Sequence, residues 1–235
     1  MRYRISELLR LSSQVLVALL LLASTAQAGL IDFEVDGDGF ALNAGNIITT
    51  QYSSLGITVS ATGGSGDAMI FDSSSPTGDD PDLGTPNSAF GGPGVGSGGN
   101  PSNSTALGNI LIISENGNSS DPDDASGGGT LTFDFTSDVM MKSLGILDID
   151  SSEGQGVELF GVGGSLGVFG FQAIGDNSYQ QIDFGSISGV TQMVVTFSGS
   201  GAVTEFEYDA VPEPGTIGLL GIGLAGLLLT RRRSL

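Results

Sequence analysis

The chain has 235 residues and a formal net charge of −19, and it contains neither cysteine nor histidine. The missing residue types exclude disulfide bonds, nucleophiles activated by histidine, and metal centres built on imidazole or thiolate. Only one of the seven basic residues, Lys142, lies within residues 29–211, so this acidic part repels nucleic acid and needs counter-ions from solution.

The N-terminal segment has the pattern of a secretory signal peptide. Three arginines precede an unbroken apolar run over residues 15–23, and Ala26 and Ala28 form a small-x-small cleavage site. We predict a signal peptide over residues 1–28, cleavage after Ala28 and a mature N-terminus at Gly29. The alternative is an uncleaved membrane anchor.

Residues 29–210 are predicted to form one all-β domain. Short runs rich in Val, Ile, Phe and Thr alternate with clusters of Gly, Asn, Asp, Ser and Pro, as strands alternate with turns. Leu131, Phe133 and Phe135 share one face of such a run. The predicted strands cover residues 30–34, 47–52, 57–61, 68–71, 109–114, 130–135, 140–149, 157–162, 167–172, 179–184, 192–198 and 202–208. Their number predicts an antiparallel β-sandwich, with a jelly roll as the expected topology and a β-helix as the alternative.

Carboxylates on the first and last predicted strands indicate a calcium site. Asp32 and Glu34 share one face of the first strand, and Glu207 and Asp209 share one face of the last. If these two strands are neighbours, their carboxylates are crowded enough to bind a hard cation through oxygen. The alternative is a solvated acidic rim without an ion.

A long loop over residues 72–104 is almost free of apolar side chains. Loops of this length inside a compact domain are either functional or disordered. Asp80 and Asp82 lie in its acidic segment, and Asn87 follows them, so this loop is a second candidate for binding calcium.

One pair of acidic residues permits an enzymatic interpretation. Asp148 and Asp150 lie two residues apart on a predicted strand and would share a face, as the paired carboxylates of glycoside hydrolases do. Such pairs arise by chance in a chain with 26 acidic residues, so we interpret this pair as surface residues or metal ligands and predict that the protein is not an enzyme. A carboxylate-based enzyme that modifies polysaccharide is the alternative.

The C-terminal segment, residues 211–235, combines a proline-containing motif, an uncharged apolar run and a basic end. The residues of the motif and the basic end are Val211, Pro212, Glu213, Pro214, Arg231, Arg232 and Arg233. The run between them, residues 215–230, is slightly shorter than the roughly 17–25 residues of a usual membrane span. We predict a transmembrane helix here that anchors the chain briefly, with the arginines on the cytoplasmic side.

The order of these three parts resembles the PEP-CTERM sorting signal of Gram-negative bacteria. The resemblance implies recognition and removal of the tail by an exosortase, an integral-membrane processing enzyme. It also implies transient anchoring in the inner membrane, and then a location at the cell envelope, the outer surface or the extracellular matrix. Such tails accompany exopolysaccharide production, which implies an association with extracellular polysaccharide and biofilm.

The middle of the chain, including residues 76–86 and 130–135, resembles a recurrent class of PEP-CTERM proteins. This resemblance implies an extracellular β-sandwich and brings no known activity with it. Taken together, these observations predict an exported, non-catalytic matrix protein that binds glycan and calcium. A purely structural, adhesive matrix protein is a further alternative.

Overall fold

The prediction of an all-β fold is confirmed. The computed structural model describes residues 27–150 and 154–211, and these ranges contain nine strands and three single-turn 3₁₀ helices. The strands are β1 (Gln27–Ile31), β2 (Ile57–Thr62), β3 (Ala68–Asp72), β4 (Asn109–Ile113), β5 (Gly129–Ile149), β6 (Gln155–Gly161), β7 (Gly164–Gly170), β8 (Gly175–Phe197) and β9 (Ala202–Ala210). The 3₁₀ helices are Ser53–Leu55, Pro81–Leu83 and Ser88–Phe90.

Two predictions fall on residues outside these ranges. They are the signal peptide up to residue 26 and the sorting tail from Pro212 onward, including its transmembrane helix. Among the residues that are described, no helix combines the length and the hydropathy needed to cross a bilayer.

The strands form one antiparallel sheet, so neither the predicted sandwich of two sheets nor its jelly-roll topology is confirmed. The order across the sheet is β3-β4-β9-β5-β8-β6-β7, with β1 also paired to β9 and β2 to β5. Two strands, β5 and β8, run for 21 and 23 residues and each joins two strands that the sequence predicts separately. Left-handed backbone at Gly185 and Gly189 lets β8 bend without ending, because glycine adopts a positive φ without steric cost.

The core lies where the bent sheet packs against itself. Phe206 of β9 contacts the rings of Phe133 and Phe135 on the first half of β5, with ring centroids 5.1 and 6.4 Å apart. Each contact has edge-to-face geometry, which stabilises a buried aromatic pair by about 1 kcal/mol beyond the area it buries. These rings belong to one large cluster of buried side chains that draws on both halves of β5 and β8.

The predicted strand over residues 47–52 is wrong. Only Ile47 makes a β-type contact, an isolated bridge to Met69. The side chain of Gln51 accepts hydrogen bonds from the backbone N–H groups of Thr49 and Thr50 and donates one to the carbonyl of Ile47. These local bonds satisfy backbone groups that a strand would pair with a neighbour, so the segment folds into a turn.

The two ends of the described domain lie side by side, because β1 pairs with β9. A Cβ atom at Gly29 would lie 2.6 Å from the ring of Tyr208, so this position accommodates only glycine without a shift. Ala28–Ala210 form one compact unit. The predicted N-terminal cleavage site, after Ala28, therefore lies within β1, and Val211 of the sorting motif directly follows the neighbouring strand β9.

Candidate cation-binding site

Two groups of three aspartates lie where the long loop meets the turns of the sheet. In each group, one carboxylate oxygen from every member lies within 4.8 Å of the others. We call them the first and the second triad; the first is Asp80, Asp123 and Asp124, and the second is Asp82, Asp148 and Asp176.

The first triad joins two loops that are far apart in sequence. Asp80 precedes the 3₁₀ helix Pro81–Leu83, and its Oδ2 accepts a hydrogen bond of 2.8 Å from the backbone N–H of Asp124. Asp124 is buried, and its Oδ2 accepts bonds from the Ser200 hydroxyl (2.7 Å) and the Gly201 N–H (2.8 Å). The turn between β8 and β9 is thereby tied to the same carboxylate.

The second triad is built around the end of β5. Asp148 has a φ of 63°, and its register with β8 shifts between Leu147 and Ile149, so its side chain leaves the regular alternation of the strand. Its Oδ1 accepts a bond of 2.6 Å from the backbone N–H of Asn177, which follows Asp176 in β8. The Ser200 side chain also hydrogen-bonds Asp148 and so links the two triads.

Asn177 fixes the position of the loop that carries Asp82. It is fully buried, and its side-chain amide donates to the carbonyls of Asp82 and Gly84. Its Oδ1 accepts bonds from the side chains of Asn87 (2.6 Å) and Asn103 (2.8 Å). The side chain of Asn177 thus supplies the hydrogen bonds that hold the long loop against the sheet. These bonds explain why a segment poor in apolar residues is ordered.

The triads concentrate negative charge that no basic group within residues 27–150 and 154–211 offsets. Burial, with a further contribution from neighbouring carboxylates, raises the pKa of Asp124 from 3.8 to about 6 and that of Asp148 to about 7. The pKa of Asp80 is raised to about 8, mainly by burial and then by Asp124 and Asp123. A bound cation would offset the cost of ionising these buried carboxylates.

The basic residue of this domain lies elsewhere. The Lys142 ammonium group is 2.8 Å from Asp209 and 3.1 Å from Glu207, and these hydrogen bonds raise the pKa of Lys142. Two of the predicted calcium ligands are therefore engaged by a lysine. Glu34 also has a protein partner, because its Oε1 accepts a bond from the Asn109 N–H.

The structure thus separates the six predicted calcium ligands. Asp80 and Asp82 lie in the candidate site, one in each triad. The first and last strands do pair, as the calcium prediction required, but β1 ends at Ile31 and the positive φ of Phe33 breaks the alternation, so the prediction that Asp32 and Glu34 share one strand face is wrong. No triad of the described residues includes Asp32, Glu34, Glu207 or Asp209.

Four members of the triads were missed as calcium ligands: Asp123, Asp124, Asp148 and Asp176. The acidic loop over residues 121–124 was a usable signal for the first two. Asp148 was interpreted as one half of a pair with Asp150 on a regular strand, and this geometry is wrong. β5 ends at Ile149, and the positive φ of Asp148 breaks the alternation on which the pairing depended.

The oxygen positions fit a calcium ion. Calcium binds oxygen at about 2.3–2.6 Å, so two ligands on opposite sides of one ion are about 5 Å apart. In each triad the three oxygens lie within 4.8 Å of one another, which is compatible with this limit. A set made only of carboxylates selects hard cations such as Ca²⁺ over zinc or copper.

Comparisons with known proteins identify the C-terminal segment. The sequence profile of the PEP-CTERM protein-sorting motif matches residues 210–233. No curated protein matches the chain. A solved structure described as CpGH89CBM32-6 produced by Clostridium perfringens is 12% identical over 37% of this chain and 74% of that one. Its TM-score of 0.26 is too low to support an argument about fold.

Proposed function

We propose that this PEP-CTERM protein, whose sorting motif leads to processing by an exosortase and then to the cell surface, is a non-catalytic component of the extracellular matrix. Calcium bound at the two triads holds its β domain rigid, and the domain binds extracellular polysaccharide. Before processing, the tail over residues 211–235 anchors the chain briefly in the inner membrane. The convergence of six aspartates in two compact triads is the observation that carries the proposal.

A structural role for the ion follows from where its ligands lie in the chain. Asp80 and Asp82 come from the long loop, Asp123 from the loop after β4, Asp148 from β5 and Asp176 from β8. A cation held by these groups cross-links segments that a chain without cysteine cannot join by disulfides. Extracellular calcium is abundant, and extracellular modules function with dissociation constants of about 10⁻⁴–10⁻³ M.

The buried carboxylates are better suited to hold an ion than to perform acid–base chemistry. Asp124 accepts two hydrogen bonds from the turn after β8, and Asp148 accepts one from the backbone of β8. Both side chains are at most 5% exposed, which leaves little access for a polymeric substrate. A polysaccharide-modifying enzyme is the competing proposal, and Asp148→Asn together with Asp150→Asn tests it, because lost glycan cleavage would favour the enzyme.

Thermal unfolding of the exported protein in excess Ca²⁺ and in EDTA tests the proposal. Calcium at 100 times its dissociation constant stabilises the folded state by about 2.7 kcal/mol for each ion bound. For a domain of this size, that corresponds to roughly 5–10 °C in melting temperature for each of the two triads. Mg²⁺ at equal concentration is the control for ionic strength. A melting temperature that is equal in Ca²⁺ and EDTA would refute the structural role of the ion.

A further inference from the structure

A cleft of two adjoining cavities runs between the long loop and strand β8. The cavities have volumes of about 430 and 500 Å³, within the usual range for ligand sites. Both are lined by Pro101 of the loop and by Tyr179 of β8. Because the two cavities share these residues, they lie next to each other, and we call the pair the Tyr179 cleft.

The walls of the Tyr179 cleft are held in place before any ligand arrives. Ser102 bonds to the backbone of Tyr179 twice, accepting from its N–H (2.8 Å) and donating to its carbonyl (3.0 Å). Asn103 donates to the carbonyls of Gly84 and Asn177 and to the Asn177 side chain. A preformed site loses less conformational entropy on binding than a flexible one.

The lining combines apolar surface with hydrogen-bonding groups. Pro101, Leu107 and the half-buried ring of Tyr179 offer the apolar surface. The Tyr179 hydroxyl donates to Glu205 Oε1 at 2.8 Å, so an acceptor-rich carboxylate is fixed beside the ring. The Oδ1 atom of Asn103, which is only 3% exposed, has no hydrogen-bond partner.

These groups match the surface of a neutral sugar. A pyranose ring has an apolar face of C–H groups that packs on an aromatic ring, and a rim of hydroxyl groups that donate to carboxylate and amide oxygens. An anionic polymer lacks a partner here, because Lys142, the basic residue of residues 29–211, pairs with Glu207 and Asp209. Glu205 would repel such a polymer.

We infer that the Tyr179 cleft binds a neutral polysaccharide chain, with a sugar ring packed on Tyr179 and its hydroxyl groups bonded to Glu205. Two adjoining cavities of about 430 and 500 Å³ leave room for a polymer that continues beyond one sugar unit. This inference rests on the proposed polysaccharide-binding function and gives it a location and a ligand class, separate from the calcium triads.

Binding of the exported protein to two neutral polymers, dextran and galactomannan, tests the inference, with hyaluronate, which does not gel with calcium, as the anionic comparison. Isothermal titration in excess Ca²⁺ should show binding to at least one neutral polymer and none to hyaluronate. Tyr179→Ala should weaken binding about tenfold or more, as loss of a central aromatic contact does. Phe40→Ala is the matched control, because Phe40 is an exposed aromatic residue that lines neither cavity, and it should bind as the wild type does.

A second variant keeps the test decisive if Tyr179→Ala fails to fold. Ser104 is exposed and lines the smaller cavity, so Ser104→Arg should obstruct the cleft and abolish binding without lowering the melting temperature. If folded Tyr179→Ala or Ser104→Arg binds the polymer as the wild type does, the Tyr179 cleft is not the binding site. Polysaccharide binding by the protein would then still stand. Failure of the wild type to bind either neutral polymer would overturn both the inference and the proposed polysaccharide partner. The calcium role is measured separately by thermal unfolding.

Discussion

The effect of Asp148→Asn on stability should change sign with calcium. Without calcium, the ionised Asp148 carboxylate destabilises the folded state, because burial and the neighbouring Asp82 raise its pKa from 3.8 to about 7. One pKa unit corresponds to about 1.4 kcal/mol, so ionising this side chain in the folded state at about pH 8 costs up to about 4 kcal/mol. The side chain is only 2% exposed, so solvent screening reduces this cost little.

Asparagine removes the charge and keeps the local structure. Its Oδ1 can still accept the hydrogen bond from the Asn177 N–H, and asparagine tolerates the positive φ of this position better than most residues. In EDTA at about pH 8, we expect Asp148→Asn to be more stable than the wild type by about 1–4 kcal/mol. In excess Ca²⁺ the order should reverse, because the variant lacks one charged ligand of the second triad.

Urea denaturation in the two buffers measures both free energies of unfolding. Asp138→Asn is the matched control, because Asp138 lies on the same strand, β5, but is exposed and belongs to neither triad. Its effect should be small and equal in both buffers. If Asp148→Asn destabilises the protein equally with and without calcium, the reasoning about the second triad is wrong.

Three further predictions concern pH, the long loop and processing. In EDTA, the free energy of unfolding should fall as the pH rises from about 4 to about 8. The reason is that the raised pKa values of Asp80, Asp124 and Asp148 let the folded state keep protons that the unfolded state has already released. A rise in the urea midpoint over this range would contradict this prediction. Asn177→Ala should lower the free energy of unfolding by about 3 kcal/mol or more and make the long loop susceptible to proteolysis. Asn118→Ala, at an exposed position, should have neither effect. Mass spectrometry of the exported protein should find a chain that begins at Gly29 and lacks the basic end, and intact termini would exclude the processing described.

The fold class could be predicted from the sequence because side-chain alternation is a local property. Leu131, Phe133 and Phe135 are all buried on one face, as their spacing indicates. The length of β5 and β8 could not be predicted in the same way. Polar residues interrupt the apolar pattern of β5 at residues 136–138, yet the strand continues because β8 bends with it through glycines at positive φ. The part of β8 that allows β5 to continue lies some 50 residues away from it in sequence.

The candidate site shows the same division between local and long-range information. The sorting motif was predicted correctly, because its parts follow one another in the chain. The triads were only partly predicted, because their members are brought together by long-range contacts. Asp80 and Asp124 are 44 residues apart and are joined by a hydrogen bond from the Asp124 N–H to the Asp80 carboxylate, which no local sequence pattern predicts. Conversely, Glu207 and Asp209 have the spacing of calcium ligands and instead share the basic side chain of Lys142.

Titration of Ca²⁺ into the EDTA-treated and desalted exported protein tests the central claim most directly. With one ion for each triad, calorimetry should show saturable binding of two ions per chain, and Asp148→Asn should weaken one of the two sites while leaving the other. The Asp138→Asn control should bind as the wild type does. A wild-type protein that produces no saturable heat with Ca²⁺, while remaining folded, would contradict the account.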